Sequence, residues 1–356
     1  MAKKAQQSQQ AGQAKQAKQA KQAKQSKIGQ GGKGRSDAAR PEAPQPDTAR
    51  PDTAQPDTPR PDTAPPARLA VRKTYKLYLG GAFPRSESGR CYPVISADGD
   101  HLANASLASR KDAREAVVAA RKAFGGWSSR TAYNRGQILY RVAEVLEGRR
   151  DQFVAGAERA QGLSRAAADQ VVSAAIDRWV YYAGWTDKVA QVLGGSNPVS
   201  GPYYNHSAPE PTGVVAVFAP QDAPLLGLTS VLAPVIATGN TAVVVASEGA
   251  PLAAVDLAEV LATSDVPGGV VNLLTGRVPE IGPHLASHAD VNALDLTGAG
   301  ALAAEFEEAA ASTLTRVLRP GPGSDGGEDV WLDPDPGTAR MTPFLETKTV
   351  WHPIGV

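Results

Sequence analysis

The chain has 356 residues, a formal net charge of +1 and 42% apolar residues, yet no run of 18 consecutive apolar residues that would serve as a membrane-spanning helix. No apolar stretch follows the lysines near Met1, as a secretory leader requires. A single cysteine, Cys91, excludes an intramolecular disulfide and any cysteine-built metal cluster, so the expectation is a soluble cytoplasmic protein.

Residues 1–36 are almost wholly Ala, Lys, Gln, Gly and Ser, with a Lys-Gln-Ala triplet recurring through Lys15, Lys18, Lys21 and Lys24. Such a segment has too few apolar side chains to offset its ordering entropy. Residues 46–65 repeat a five-residue unit from Pro46, Pro51, Pro56 and Pro61, each proline followed by Asp and Thr. Proline fixes φ and removes a backbone donor, so this tract reads as an extended spacer, and its period is too short for a solenoid. Residues 1–68 are therefore expected to be a disordered low-complexity tail. Its basic head is expected to be a solvated extension, with no nucleic acid as its partner.

Leu77 and Leu79 alternate with Lys76 and Tyr78 in the manner of a half-buried strand that turns at Gly80-Gly81. Tyr92-Pro93-Val94-Ile95 is expected to answer it as the second strand of a hairpin. Ala113, Ala116, Val117, Ala120 and Phe124 mark an amphipathic helix over residues 110–124, ended by Gly125-Gly126. Ile138, Leu139, Val142, Val145 and Leu146 mark the next helix, residues 153–160 another, and residues 166–192 a long one carrying Trp179, Tyr181, Tyr182 and Trp185. From Val214 the pattern changes. Residues 214–218, 241–245 and 269–274 read as buried strands, joined by helices over 225–237, 250–262 and 280–288. Such βαβ units build a parallel sheet covered on both faces, with ligands bound beyond the carboxyl ends of its strands.

Several landmarks follow one another through this region: Pro211-Thr212-Gly213, Ala219-Pro220-Gln221-Asp222, Ala233-Pro234, Gly239-Asn240-Thr241, Ala246-Ser247-Glu248, Val266-Pro267-Gly268-Gly269, Thr275-Gly276 and Leu296-Thr297-Gly298. In this order and spacing they resemble the cofactor-binding core of the aldehyde dehydrogenase superfamily, and the resemblance covers nearly everything after residue 75. It implies an α/β fold: a Rossmann-type parallel sheet with flanking helices over residues 69–303, and a small β oligomerisation element at 343–356.

The resemblance also implies a chemistry whose parts can be checked. Aldehyde oxidation needs a thiolate nucleophile, an amide to hold the oxyanion and a carboxylate to activate water. The family nucleophile lies downstream of the cofactor glycines, whereas Cys91 lies far upstream. The family's Pro-Trp-Asn reads Pro220-Gln221-Asp222, and an ionised Asp222 accepts hydrogen bonds but cannot donate them; its alternative role is to cap the following helix. Val317 falls at the position of the activating glutamate.

The family's Lys-Pro-Ser-Glu box, whose ends bond the adenine ribose, reads Val245-Ala246-Ser247-Glu248. The pyrophosphate turn reads Thr297-Gly298-Ala299-Gly300, with Ala303 in place of its second glycine. The implied cofactor is NAD or NADP, held weakly or as a vestige by Glu248, Thr297 and Gly298, with backbone amides from Gly298 to Ala301 still open to an anion. Glu248 also reads as a solvated acid or helix cap. His284 and His288 share i,i+4 spacing without a third ligand, so no metal is expected.

Complete family members continue past these glycines through a catalytic domain of well over a hundred residues. Here residues 304–342, rich in Gly, Pro and Asp over 319–342, are expected to be a linker in its place. Lys348-Thr349-Val350-Trp351 resembles the family's terminal strand, which belongs to a β-structure pairing across subunits. The implied partners are a second copy of this chain or a full-length aldehyde dehydrogenase. The loss of thiol, amide, carboxylate and lysine together points to a non-catalytic or impaired subunit. The other function classes are an NAD(P)-dependent oxidoreductase acting on an aldehyde or oxo group, and a nucleotide-binding or tail-mediated scaffold.

Overall fold

A computed structural model describes residues 71–321 and 327–355. The expected tail at 1–68 lies outside the described residues. Four short apolar runs form β6 (Val214–Phe218), β7 (Thr241–Val245), β8 (Val271–Leu274) and β9 (Ala293–Asp295), every residue of which is buried. Together with β10 (Arg316–Leu318) they make a parallel sheet in the order β10-β9-β6-β7-β8. Burial on both faces explains why these strands read as continuous apolar runs with no alternation.

One face is covered by α6 (Leu226–Ala237) and α7 (Leu252–Ala262), the other by α1 (Arg110–Ser128), α8 (Val278–Ala286) and α9 (Ala303–Ala311). The chain reverses direction across the sheet between β6 and β9, which makes their carboxyl ends the topological switch point. Outside α6 and α7 pack α2 (Ala132–Gly148), α3 (Arg150–Gln161) and α4 (Arg165–Trp185).

Packing moves several of the expected boundaries. The first helix does not stop at Gly125-Gly126 but runs to Ser128. Trp127 is 1% exposed there and donates its indole N–H to the Ile236 carbonyl at 3.0 Å, a tertiary contact that outweighs the low helix propensity of two glycines. The long helix breaks after Trp185, where the Thr186 hydroxyl donates to the Ala183 carbonyl, and resumes as α5 (Val189–Leu193).

The expected hairpin is not formed. β1 (Thr74–Tyr75) pairs in parallel with β3 (His101–Ser106), and β2 (Cys91–Ile95) pairs antiparallel with the same strand. The 76–79 segment instead reaches the edge of the main sheet, where the Tyr78 N–H donates to the Leu273 carbonyl at 3.0 Å. β3 carries little β character in its sequence, which is mostly Ala, Asn and Ser.

A second sheet combines β4 (Gly195–Asn197), β5 (Tyr203–Pro211) and β11 (Leu345–Pro353) in the order β11-β5-β4. Within the chain β11 pairs with β5, in register from Leu345 with Pro211 to Pro353 with Tyr203, which makes the terminal strand the edge of this sheet. The outer edge of β11 pairs with nothing among the described residues.

The described part of the expected linker is more than a bridging loop. Residues 304–342 include most of α9, β10 and a 3-10 turn at Glu328–Trp331, and a second such turn, Thr342–Phe344, begins at their end. Trp331, Met341 and Phe344 are buried, and the Asn240 side-chain amide donates to the Phe344 carbonyl at 2.8 Å. No helix among the described residues is long and apolar enough to cross a membrane.

Candidate functional site

Asp222, Glu248, Thr297 and Gly298 all follow the carboxyl ends of strands, after β6, β7 and β9 respectively. The fold therefore gathers them at the rim where open α/β sheets bind ligands. Gln221 ties two of these loops together. Its side-chain oxygen accepts from the Glu248 N–H at 2.9 Å, its amide donates to the Ala219 carbonyl at 2.9 Å, and its own carbonyl accepts from the Ser247 hydroxyl at 2.7 Å.

Asp222 is exposed and lines a depression of about 530 Å³ together with Gln161, Gln221, Gly249, Glu328 and Asp329. It does not cap the next helix: α6 starts from Leu225 without any side-chain cap. Neither Glu248, Thr297 nor Gly298 lines that depression. Val317 lies within β10 at the sheet's outer edge, opposite Leu294 and two strands from β6.

Glu248 faces Arg277, from the β8–α8 connection, whose guanidinium stands 3.4 Å from its carboxylate. Val245 itself is fully buried in the cluster formed with Phe218, Leu274 and Val278. The hydroxyl of Tyr92, buried without a partner, has its acidity weakened by desolvation and by the nearby Glu248.

Thr297 is committed to a different contact. Leu294 and Leu296 pack beneath α8 and α9, so the alternate residues of this stretch turn to the other face of the sheet. There the Thr297 hydroxyl and N–H both donate to Asp295 Oδ1. Arg340 donates to the Thr297 hydroxyl at 3.1 Å and pairs with Asp295 Oδ2 at 3.3 Å. Asp295 is completely buried; desolvation holds its carboxyl above the ordinary aspartate range, against the opposing effects of Arg340 and the Thr297 bonds.

The turn after Thr297 is equally closed. The Gly298 N–H donates to the Phe218 carbonyl at 2.8 Å, and a Cβ at this position would stand 1.8 Å from the Ala219 carbonyl oxygen. The Ala299 N–H donates to the Leu296 carbonyl at 3.0 Å. Two of the amides expected to be open to an anion are thus spent on the protein's own backbone.

Glu328 is the acid that sequence reasoning missed. It is 7% exposed, and burial, with a smaller contribution from Asp329, pushes its carboxyl up to about 7 against hydrogen bonds from Gln161 and the Leu225 and Gly227 amides. A raised carboxyl favours the protonated folded state, so stability should fall as pH rises through the window from about 4.5 to 7. Glu328→Gln is expected to remove about 3 kcal/mol of that loss. Urea denaturation between pH 4 and 8 measures it, and an unchanged slope in the variant would contradict the assignment. Part of the slope should persist, because burial likewise raises Asp256 to about 6.

The aldehyde dehydrogenase family model matches residues 83–325. The chain belongs to the aldehyde dehydrogenase family. It is 31% identical over 262 residues to cytosolic aldehyde dehydrogenase 1 of Elephantulus edwardii, covering 71% of this chain and 51% of that protein. It is 32% identical over 251 residues to the putative aldehyde dehydrogenase DhaS of Bacillus subtilis, covering 69% and 50%. Among solved structures, HpcC from Thermus thermophilus superposes with a TM-score of 0.65 at 29% identity, over 69% of this chain and 47% of that one. The NAD+ complex of aldehyde dehydrogenase from Bacillus cereus superposes with a TM-score of 0.64 at 28% identity, over 69% and 50%. The chain spans about half the length of the curated family members it matches.

Proposed function

We propose that the chain is a catalytically inactive or impaired aldehyde dehydrogenase family subunit, which assembles with itself or with a complete aldehyde dehydrogenase in the cytoplasm. One observation carries the reading: at the carboxyl rim of the sheet, Asp222, Glu248, Thr297 and Gly298 offer neither a thiol nor an oxyanion amide, and all but Asp222 are engaged in contacts within the chain. Losses of nucleophile and oxyanion donor each cost orders of magnitude in rate. Residues 69–303 would act as the cofactor-type domain, 304–342 would stand in for a catalytic domain, and 343–356 would serve assembly.

NAD or NADP would bind weakly at most. Val245 puts a buried methyl surface where a ribose-bonding ammonium is wanted, Glu248 is paired with Arg277, and the Gly298 amide is already used. These groups do not make a tight ribose and pyrophosphate cradle. A second reading, an NAD(P)-dependent oxidoreductase acting on an aldehyde or oxo group, is favoured by the NAD+ bound in a similar solved structure.

Assembly finds support in the open edge of β11 and in exposed apolar side chains on the same sheet, Tyr203, Tyr204 and Trp351 among them. The purified protein is expected to be multimeric by light scattering and to give no aldehyde-dependent reduction of NAD or NADP. Turnover that survives Cys91→Ser would sink the inactive-subunit reading; turnover lost with it would make the exposed Cys91 the nucleophile. A monomer at all concentrations would defeat self-assembly.

A further inference from the structure

Asp256 on α7 is 8% exposed, and its Oδ1 has no hydrogen-bond partner. It lines a cavity of about 100 Å³ between α3, α7, the start of α6 and the short strands β1 and β3. Phe153, Leu225 and Leu252 supply apolar wall, while Gly156, Ala157 and Ala160 keep the α3 side open through their small size. A buried carboxylate in such surroundings is costly unless a cation or donor meets it. Burial, with a smaller contribution from Glu259, pushes its carboxyl up to about 6 against Lys73, a hydrogen bond from Gln152 and the charge of Arg149, so it is still ionised at neutral pH.

Lys73 shows the chemistry that relieves it. Its side chain is exposed at the cavity rim, its Nζ lies 3.9 Å from the Tyr75 ring centroid, and its charge favours the ionised Asp256. An aromatic face and a carboxylate together attract an ammonium group. Lys73 is in effect an alkylammonium tethered beside a cavity large enough for a free one.

We propose that this cavity binds a small alkylammonium compound, with its ammonium group between Asp256 and the Tyr75 ring and its hydrocarbon body against Phe153 and Leu252. A primary amine with a short chain matches the apolar walls, the single interior charge and the resident lysine. Arg159 also lines the cavity and disfavours a second positive group, which selects monoamines over diamines. The cavity contains none of Asp222, Glu248, Thr297 and Gly298, although Gln161, Pro224 and Ala250 line both it and the depression beside Asp222.

The test is calorimetric titration of the full chain with n-butylammonium, butyrate and 1-butanol at equal ionic strength. Butylammonium is expected to bind in the millimolar range, at least about tenfold more tightly than the other two. Lys73→Gln, which removes the tethered competitor, should tighten it severalfold, and Asp256→Asn should weaken it about tenfold or more. Gly156→Leu should abolish binding without loss of fold: a Cβ at this position meets nothing within 4 Å, and leucine raises helix propensity. Should Asp256→Asn fail to fold, the other two variants carry the test. Butyrate binding as well as butylammonium, an affinity indifferent to Asp256→Asn, or no butylammonium binding by the Lys73→Gln protein would each overturn the proposal.

Discussion

Arg340→Ala is expected to cost about 3 kcal/mol of stability, because it removes the cation paired with a carboxylate that has no access to water. Asp295 is 0% exposed, and Arg340 is its ion-pair partner at 3.3 Å. The guanidinium also lies 4.9 Å from the Trp331 ring, and that contact is lost as well. The sign of the pH dependence follows from the direction of the shift. Burial already holds the Asp295 carboxyl above its ordinary range, and Arg340 opposes this, so the variant's acid should be raised further. Its deficit should therefore be small in acid and grow as pH rises beyond the range in which an unfolded aspartate titrates. Asp295→Asn in the same chain should recover much of the loss by removing the unpaired charge. Urea denaturation of the two single variants and the double variant at pH 5 and 8 measures the coupling. Additive losses, with no recovery in the double variant, would show that the pair does not hold the 327–344 segment to β9.

Val245→Lys should be similarly costly, at roughly 4 kcal/mol, because a lysine buried without a partner forfeits about three pKa units of charged-state stability. The position is fully buried among Phe218, Leu274 and Val278, so the ammonium has no direct route to water. The substitution lowers the folded-state pKa of its own lysine, so its penalty should ease as pH rises toward the ordinary lysine range. It should not improve NAD affinity, even though it restores the side chain that the family's ribose contact uses. A variant of unchanged thermal midpoint that binds NAD micromolar would show that the carboxyl end of β7 is open to a cofactor, and would reverse the reading of weak binding.

Much of the architecture was legible because the signals were local. The apolar runs at 214–218 and 241–245 became β6 and β7 at those same residues, since a strand buried on both faces needs an unbroken apolar run. The helix from Arg110 was visible from its apolar spacing, and Ser109 with Asp112 forms its capping box. Elsewhere tertiary contacts outweigh local preference. Gly125 and Gly126 stay helical because Trp127 is pulled into the core, and the 76–79 segment pairs with the edge of β8 because Tyr78 is buried against it.

For the candidate site, the sequence by itself determined which residues stand at or just beyond the strand ends: an acid at 222, a valine at 245, a glutamate at 248 and a glycine at 298. It also determined that the lone thiol, Cys91, lies upstream of all of them. Only the tertiary structure decided what those groups touch. Residues 328–344 carry no periodicity, yet they bring Glu328 to the start of α6 and Arg340 to Asp295, across separations that no local pattern spans. The reason is physical: a side chain's identity sets what it can bond, but burial and the partner delivered by a distant segment set its charge state and whether any bond is left for a ligand.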